Sequence, residues 1–202
     1  MAAASLVALL KEHGLRFFTT GDLASLTGLD PMAASQALRR LSAKGLVRRL
    51  KRGLWSNLLV PDLSLAEALP QLTAPWPAYV SLYSALAGAG VVAETPVTLY
   101  AVGSGPPRRI RTPLGDISVH HLPANFVWGW KTPSAATPAL LVAEPEKALL
   151  DLAYLSVLPS SRLEFPPLRP RRRRLDRSKL KSYAARLDYA PLTDFLKTRG
   201  FL

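Results

Sequence analysis

Before Gly45, apolar residues recur at helical spacing in three successive segments. MAAASLVALLKEHG predicts a first amphipathic helix with Ala3, Leu6 and Leu10 on one face. FFTTGDLASLTG predicts a second, with Thr19 or Thr20 as N-cap, Asp22 in the first turn, Leu23, Ala24 and Leu26 inward, and Gly28 as its stop. Asp30-Pro31 then starts a third helix, to about Lys44, with a capping carboxylate and a proline at the first helical position. Its stripe of Ala34, Ala37, Leu38 and Leu41 faces the first two helices, and Gly45 ends it. LVRRL and GLWSNL follow as two short strands around Lys51-Arg52-Gly53. Helix, tight turn, helix and basic hairpin together predict a winged helix-turn-helix.

The pattern changes after the hairpin. Val60-Pro61-Asp62 reads as a linker, dividing the chain into residues 1–60 and 61–202. LSLAEALPQLTAPWP predicts a short helix and a proline-rich bend, and PAYVSLYSALAGAGVV a helix presenting Val80, Tyr83 and Ala87. TPVTLYAVG predicts a strand, and SGPPRRIRTPLGDISVHHLP a polar strand pair with Arg108, Arg109 and Arg111 on its first member. LVAEPEKALLDLAYL predicts a helix with Ala148, Leu149, Leu152 and Leu155 at core spacing. In one of two readings of the C-terminal segment, a last helix, Ser178 to Arg186, turns Leu180, Tyr183, Ala184 and Leu187 inward. The mixture lacks the regular alternation of a doubly wound sheet, so the expected class is α+β, a winged helix followed by a mixed domain.

With 49% hydrophobic residues in 202, the chain can bury a substantial core. No apolar run is long enough to span a membrane, and the opening stretch lacks the positive start of a signal peptide. The absence of cysteine excludes disulfides and thiolate metal sites and fits a reducing cytoplasm. Three scattered histidines argue against a zinc site, and neither a metal nor an organic cofactor is expected.

Charge changes the picture more. The chain carries 26 Lys+Arg against 14 Asp+Glu, a net +12, which favours a polyanionic partner. A GC-rich genome also produces Arg-, Pro- and Ala-rich chains, so the position of the charges decides. The outward face of the third helix carries Met32, Ser35, Gln36, Arg39, Arg40 and Ala43. Glutamine and arginine can each place two hydrogen bonds on a base edge, which is what a helix in a major groove needs. Arg48, Arg49, Lys51 and Arg52 line the wing, placed for phosphate or minor-groove contact. These eight residues, Ser35, Gln36, Arg39, Arg40, Arg48, Arg49, Lys51 and Arg52, are the candidate DNA-binding set, and double-stranded DNA is the expected partner. A basic C-terminal segment, about 162–186 and including Arg171 to Arg174, is either an arm along phosphates or a solvated loop.

Catalytic chemistry is poorly represented. Glu144, Glu146, Lys147 and Asp151 cluster downstream of His120-His121, as an acid–base site would begin. The same carboxylates also suit a helix start, and Lys147 and Asp151 form an i,i+4 pair. Adjacent histidines on a strand point to opposite faces, so at most one should enter a site. No P-loop, nucleophile elbow or metal-ligand spacing occurs, and no enzyme is expected. Trp128 and Trp130 read as core and rim packing.

The succession KRGLWSN, AYVSLYSALAGAGVV, ISVHHLPANFVWGW and AEPEKALLDLAYL, over residues 1–158, resembles the AbiEi-type antitoxins of type IV toxin–antitoxin systems. Trp55 stands where that family's wing has tyrosine, and the arginine block stands where related proteins continue a helical domain. The resemblance implies a bacterial, cytoplasmic repressor whose winged helix binds inverted repeats in its own promoter, alone or as copies that pair on DNA. It also implies neutralisation of a nucleotidyltransferase-like toxin without a stable complex. Two other functions fit the residues: a protein-interaction module that neutralises a toxin by direct contact, and a ligand-responsive winged-helix regulator unrelated to any toxin.

Overall fold

In the computed structural model of the chain, the described residues are 3–135, 137, 139–166 and 175–202. The side chain of Ala3 and the block Arg171 to Arg174 lie outside the described residues. The chain opens with α1 (Ala3–Glu12), β1 (Phe17–Thr19), α2 (Thr20–Thr27), α3 (Pro31–Ala43), β2 (Val47–Lys51) and β3 (Leu54–Asn57). Thr19 ends β1 and caps α2: its hydroxyl accepts from the Asp22 amide at 3.0 Å, and the Asp22 carboxylate accepts from the Thr19 amide at 2.7 Å. Gly28 closes α2 at φ 68°, and the Asp30 carboxylate takes the amides of Met32 and Ala33, orienting α3. Leu10, Phe18, Leu23, Ala34, Leu38, Leu41 and Trp55 form the core beneath these helices.

Two details depart from the sequence reading. The segment Phe17–Thr19 is a strand, pairing antiparallel with Leu54–Ser56, so the sheet runs β1-β3-β2. Three residues are too few to show an alternating pattern. Leu26, expected inward, is 37% exposed, because the buried contacts of α2 centre on Leu23.

A 3-10 turn (Leu65–Ala68) and α4 (Leu69–Thr73) lead into a mixed sheet. Its strands are β4 (Ala78–Val80), β5 (Leu99–Gly103), β6 (Arg108–Thr112), β7 (Gly115–His121), β8 (Trp130–Lys131) and β9 (Val142–Ala143), in the order β6-β7-β5-β4-β9-β8. The helices are α5 (Leu82–Gly88), α6 (Pro145–Val157), α7 (Arg177–Leu187) and α8 (Ala190–Thr198). Val80, expected on a helix, is the last residue of β4 and pairs with Ala101 and Val142. Its spacing to Tyr83 and Ala87 imitates a helix that begins only after Ser81. The helix read as Ser178 to Arg186 is present as α7, with Leu180, Ala184 and Leu187 buried and Tyr183 half-buried, whereas α8 was not foreseen.

The mixed sheet packs on both faces. Ala78, Val80, Ala101, Ile117 and Val119 join Ala68, Leu69 and Leu72, and also Leu50 and Leu54 of the β2–β3 hairpin, in one apolar cluster. The other face, with Tyr79 and Val102, is covered by α5 to α8. The stretch read as a linker is held at both ends of this junction. Arg16 pairs with Glu67 and donates to the Asp62 carbonyl at 2.8 Å, and Lys51 Nζ donates to the Gln71 carbonyl at 2.7 Å.

Candidate nucleic-acid interface

α3 is amphipathic as its sequence requires: Ala34, Leu38 and Leu41 are fully buried, while Gln36, Arg39 and Arg40 are exposed and Ser35 is half-buried. Met32, at the start of the same face, is 73% exposed. Lys44, the C-cap, is exposed as well and extends the basic face beyond the eight residues expected from the sequence. No side-chain hydrogen bond or ion pair ties down Gln36, Arg39 or Arg40 among the described residues. Unpaired guanidinium groups on a rigid helix are free to meet phosphate or base edges without breaking internal contacts.

The wing is positioned by its inner side. Trp55 is buried, and its indole donates to the Thr20 hydroxyl at 3.1 Å, fixing β3 to the start of α2. Asn57 is buried and donates to the Leu15 carbonyl at 2.9 Å. Arg48, Arg49, Lys51 and Arg52 are all exposed, on β2 and the turn that Gly53 closes at φ 79°. They are not equivalent. Arg48 and Arg52 have no side-chain partner among the described residues. The Arg49 guanidinium lies 6.0 Å over the Trp55 ring and donates to the Lys51 carbonyl. The Lys51 ammonium is engaged by Gln71 of α4, and burial, then the nearby Arg108 charge, lowers its pKa. Nothing in the spacing of the wing residues signals this tether, because Gln71 lies twenty positions further along.

The acidic cluster is structural in its contacts. Lys147 and Asp151 are paired and buried on the inner side of α6, and Asp151 also accepts from Tyr79 at 2.9 Å and Ser81 at 2.7 Å. The Lys147 ammonium donates to the Tyr79 hydroxyl at 2.9 Å and lies 4.9 Å from the Trp128 ring. Glu144 receives Lys131, Lys179 and Tyr183; burial pushes its carboxyl up, but those donors outweigh it and hold the pKa at about 2. The Glu146 carboxylate accepts from the Asp176 amide at 2.8 Å. Every carboxylate of the cluster is thus engaged. Trp128 is buried and Trp130 stands at the rim, 5.0 Å from Tyr79. His120 stacks on Tyr100, whereas the His121 ring nitrogen Nδ1 lies 3.0 Å from the Gly105 carbonyl. Among the described residues, no three of His, Asp and Glu gather as they would around a metal ion. No helix of the described residues is long and apolar enough to cross a membrane.

Three helices, a small antiparallel sheet and an exposed basic hairpin define a winged helix-turn-helix, carried on an α+β body. Residues 5–57 match the family described as transcriptional regulator, AbiEi antitoxin. Among solved structures, the chain is similar to the crystal structure of the RV2827C protein from Mycobacterium tuberculosis. The TM-score is 0.55 at 18% identity, over 96% of this chain and 71% of that one, a likeness of fold alone. No curated protein matches the chain.

Proposed function

We propose that the chain is a bacterial, cytoplasmic transcriptional repressor that binds inverted repeats in its own promoter and serves as the antitoxin of a type IV toxin–antitoxin system. Residues 1–60 act as the DNA-binding domain and 61–202 as the antitoxin domain. Gln36, Arg39 and Arg40 read base edges, with Ser35 at the rim of the contact, while Arg48, Arg49 and Arg52 hold phosphates. Lys51 sits in the same surface but fixes the wing to α4. The observation that carries this reading is the exposed basic face of α3 and the wing, on which Arg39, Arg40, Arg48 and Arg52 have no side-chain partner among the described residues, in the segment that matches the regulator family. Inverted repeats present two half-sites, so two copies meet on the operator whether or not they associate in solution. Neutralisation of a nucleotidyltransferase-like toxin follows the family resemblance and needs no stable complex.

The test is a salt-titrated binding assay on the DNA upstream of the gene, against scrambled DNA of equal length. The native DNA is expected to be preferred at physiological salt. Arg39→Ala should cost about 1–3 kcal/mol of discrimination, roughly 5- to 150-fold. Arg52→Ala should weaken both DNAs alike and flatten the salt dependence by about one unit of slope. Equal affinity for both DNAs, vanishing with salt, would reduce the charge to nonspecific attraction and end the repressor reading.

A further inference from the structure

Beyond the wing, the face of the mixed sheet that turns away from the hairpin carries a cleft of about 540 Å³. Its floor comes from neighbouring strands in register. Ser118 of β7 pairs with Arg109 of β6 on one side and with Tyr100 of β5 on the other, so these three side chains lie in one row on one face. His120 follows two positions on, its Nε2 3.0 Å from the Ser118 hydroxyl and its ring stacked on Tyr100 at 6.0 Å and 15°. The opposite wall is Leu155 of α6, Leu158 at its C-cap and the turn Ser160–Leu163. That turn is fixed: the Ser161 amide donates to the Leu158 carbonyl at 3.0 Å, and the Leu163 amide donates to the Ser161 hydroxyl at 3.2 Å. The Tyr83 hydroxyl donates to the Glu164 carbonyl just beyond it.

The lining holds two arginines, two histidines and three serines, and no carboxylate. Three other arginines of the described residues are occupied: Arg16 by Glu67, Arg108 by the Thr73 carbonyl at 2.7 Å, and Arg177 by the Gly200 carbonyl at 2.8 Å. Arg109 and Arg162 have no such partner among the described residues, although both border one concave space. Two arginines bordering a cleft that also holds hydroxyl and imidazole groups, and no competing acid, match the tetrahedral, multiply accepting oxygens of a phosphate. The volume falls within the range of small-molecule sites, about 300–1,000 Å³, and exceeds what a bare phosphate needs.

We propose that this cleft binds a small phosphorylated molecule, with Arg109 and Arg162 taking the phosphate and Ser118, His120 and Tyr100 bordering the remainder of the ligand. The cleft also lies one sheet thickness from the wing. Ile117 and Val119 alternate with Ser118 and His120 along β7, and on the far side they pack in the cluster that holds Leu50 and Leu54. A ligand that shifts β7 therefore bears on the hairpin, and this coupling rests on the DNA-binding reading, whereas ligand binding does not.

Calorimetric titration of the full chain with pyrophosphate and with AMP, near physiological salt, tests the site directly. Saturable one-to-one binding of at least one probe is expected, with citrate at least tenfold weaker. Arg109→Gln/Arg162→Gln should weaken it at least tenfold, and Arg39→Gln/Arg40→Gln should leave it unchanged. Both pairs are exposed, so neither replacement removes a core contact. No saturable binding of either probe, equal loss in both variants, or citrate binding as tightly as the phosphates overturns the proposal. The same probe added to the DNA assay should shift the affinity of the unmodified chain and not that of Arg109→Gln/Arg162→Gln; an unchanged affinity with the site occupied overturns the coupling alone.

Discussion

Replacing Asp151 by asparagine tests how the α6 side of the sheet is held together. In the intact chain the Asp151 carboxylate is buried and accepts from Lys147, Tyr79 and Ser81, while Lys147 is 0% exposed. An amide at this position keeps an acceptor for Tyr79 and Ser81 but removes the charge that balances the Lys147 ammonium. Leaving one member of a buried pair uncompensated costs about 3–5 kcal/mol, and at roughly 2–4 °C per kcal/mol for a chain this long, Tm should fall by about 6–20 °C. Urea and thermal unfolding at neutral pH, followed by circular dichroism, read this out. The companion variant Lys147→Met/Asp151→Asn has no charge to strand, so it should be more stable than Asp151→Asn alone, because well-packed neutral replacements of a buried pair are often neutral or better. A loss under about 1 kcal/mol in Asp151→Asn, or a double variant as weak as the sum of its singles, would refute the reasoning.

Three further outcomes follow from other contacts. Glu144 titrates below its ordinary 4.5, at about 2, so the stability it contributes is full above that ordinary value and is lost as pH falls toward 2. Glu144→Gln should therefore melt lower than the unmodified chain at pH 7, with the gap closing between those two values; a gap independent of pH contradicts the assignment. A Cβ at Gly103 would stand 2.5 Å from the Pro77 carbonyl oxygen and 3.0 Å from the Ala78 Cβ, so Gly103→Ala should cost about 1–3 kcal/mol in urea unfolding, and an unchanged midpoint would mean the strands can separate freely. Lys51→Met removes the tether to Gln71 and should lower stability by about 1 kcal/mol, while reducing DNA affinity less than Arg52→Ala does. A larger DNA effect for Lys51 would return it to the phosphate-contacting set.

The N-terminal elements were legible because each is specified by neighbours in sequence. Thr19 and Asp22 cap α2 across three residues, Asp30 caps α3 across two or three, and the stripe Ala34, Leu38, Leu41 lies within one helix. The exposed positions of Gln36, Arg39 and Arg40 followed from that stripe, since the face opposite a buried one is solvated. The same locality made α6 readable from its apolar spacing and its proline start. Short strands escaped: β1, β4, β8 and β9 have two or three residues each, and their partners lie far along the chain.

The sequence by itself determined the helices of the winged unit, their caps, the basic face of α3 and the charge of the hairpin, because hydrogen bonds and apolar periodicities within a few residues set them. Only the tertiary structure decided that Leu50 and Leu54 turn that hairpin onto the mixed sheet, that Lys51 is engaged by Gln71, and that Lys147 and Asp151 form a sealed pair with Tyr79 and Ser81. It also brought Arg109 and Arg162 to one acid-free cleft. These pairings join residues from 4 to 72 positions apart, and strand order, which no local pattern encodes, settles which distant charges are spent inside the protein and which remain for a ligand.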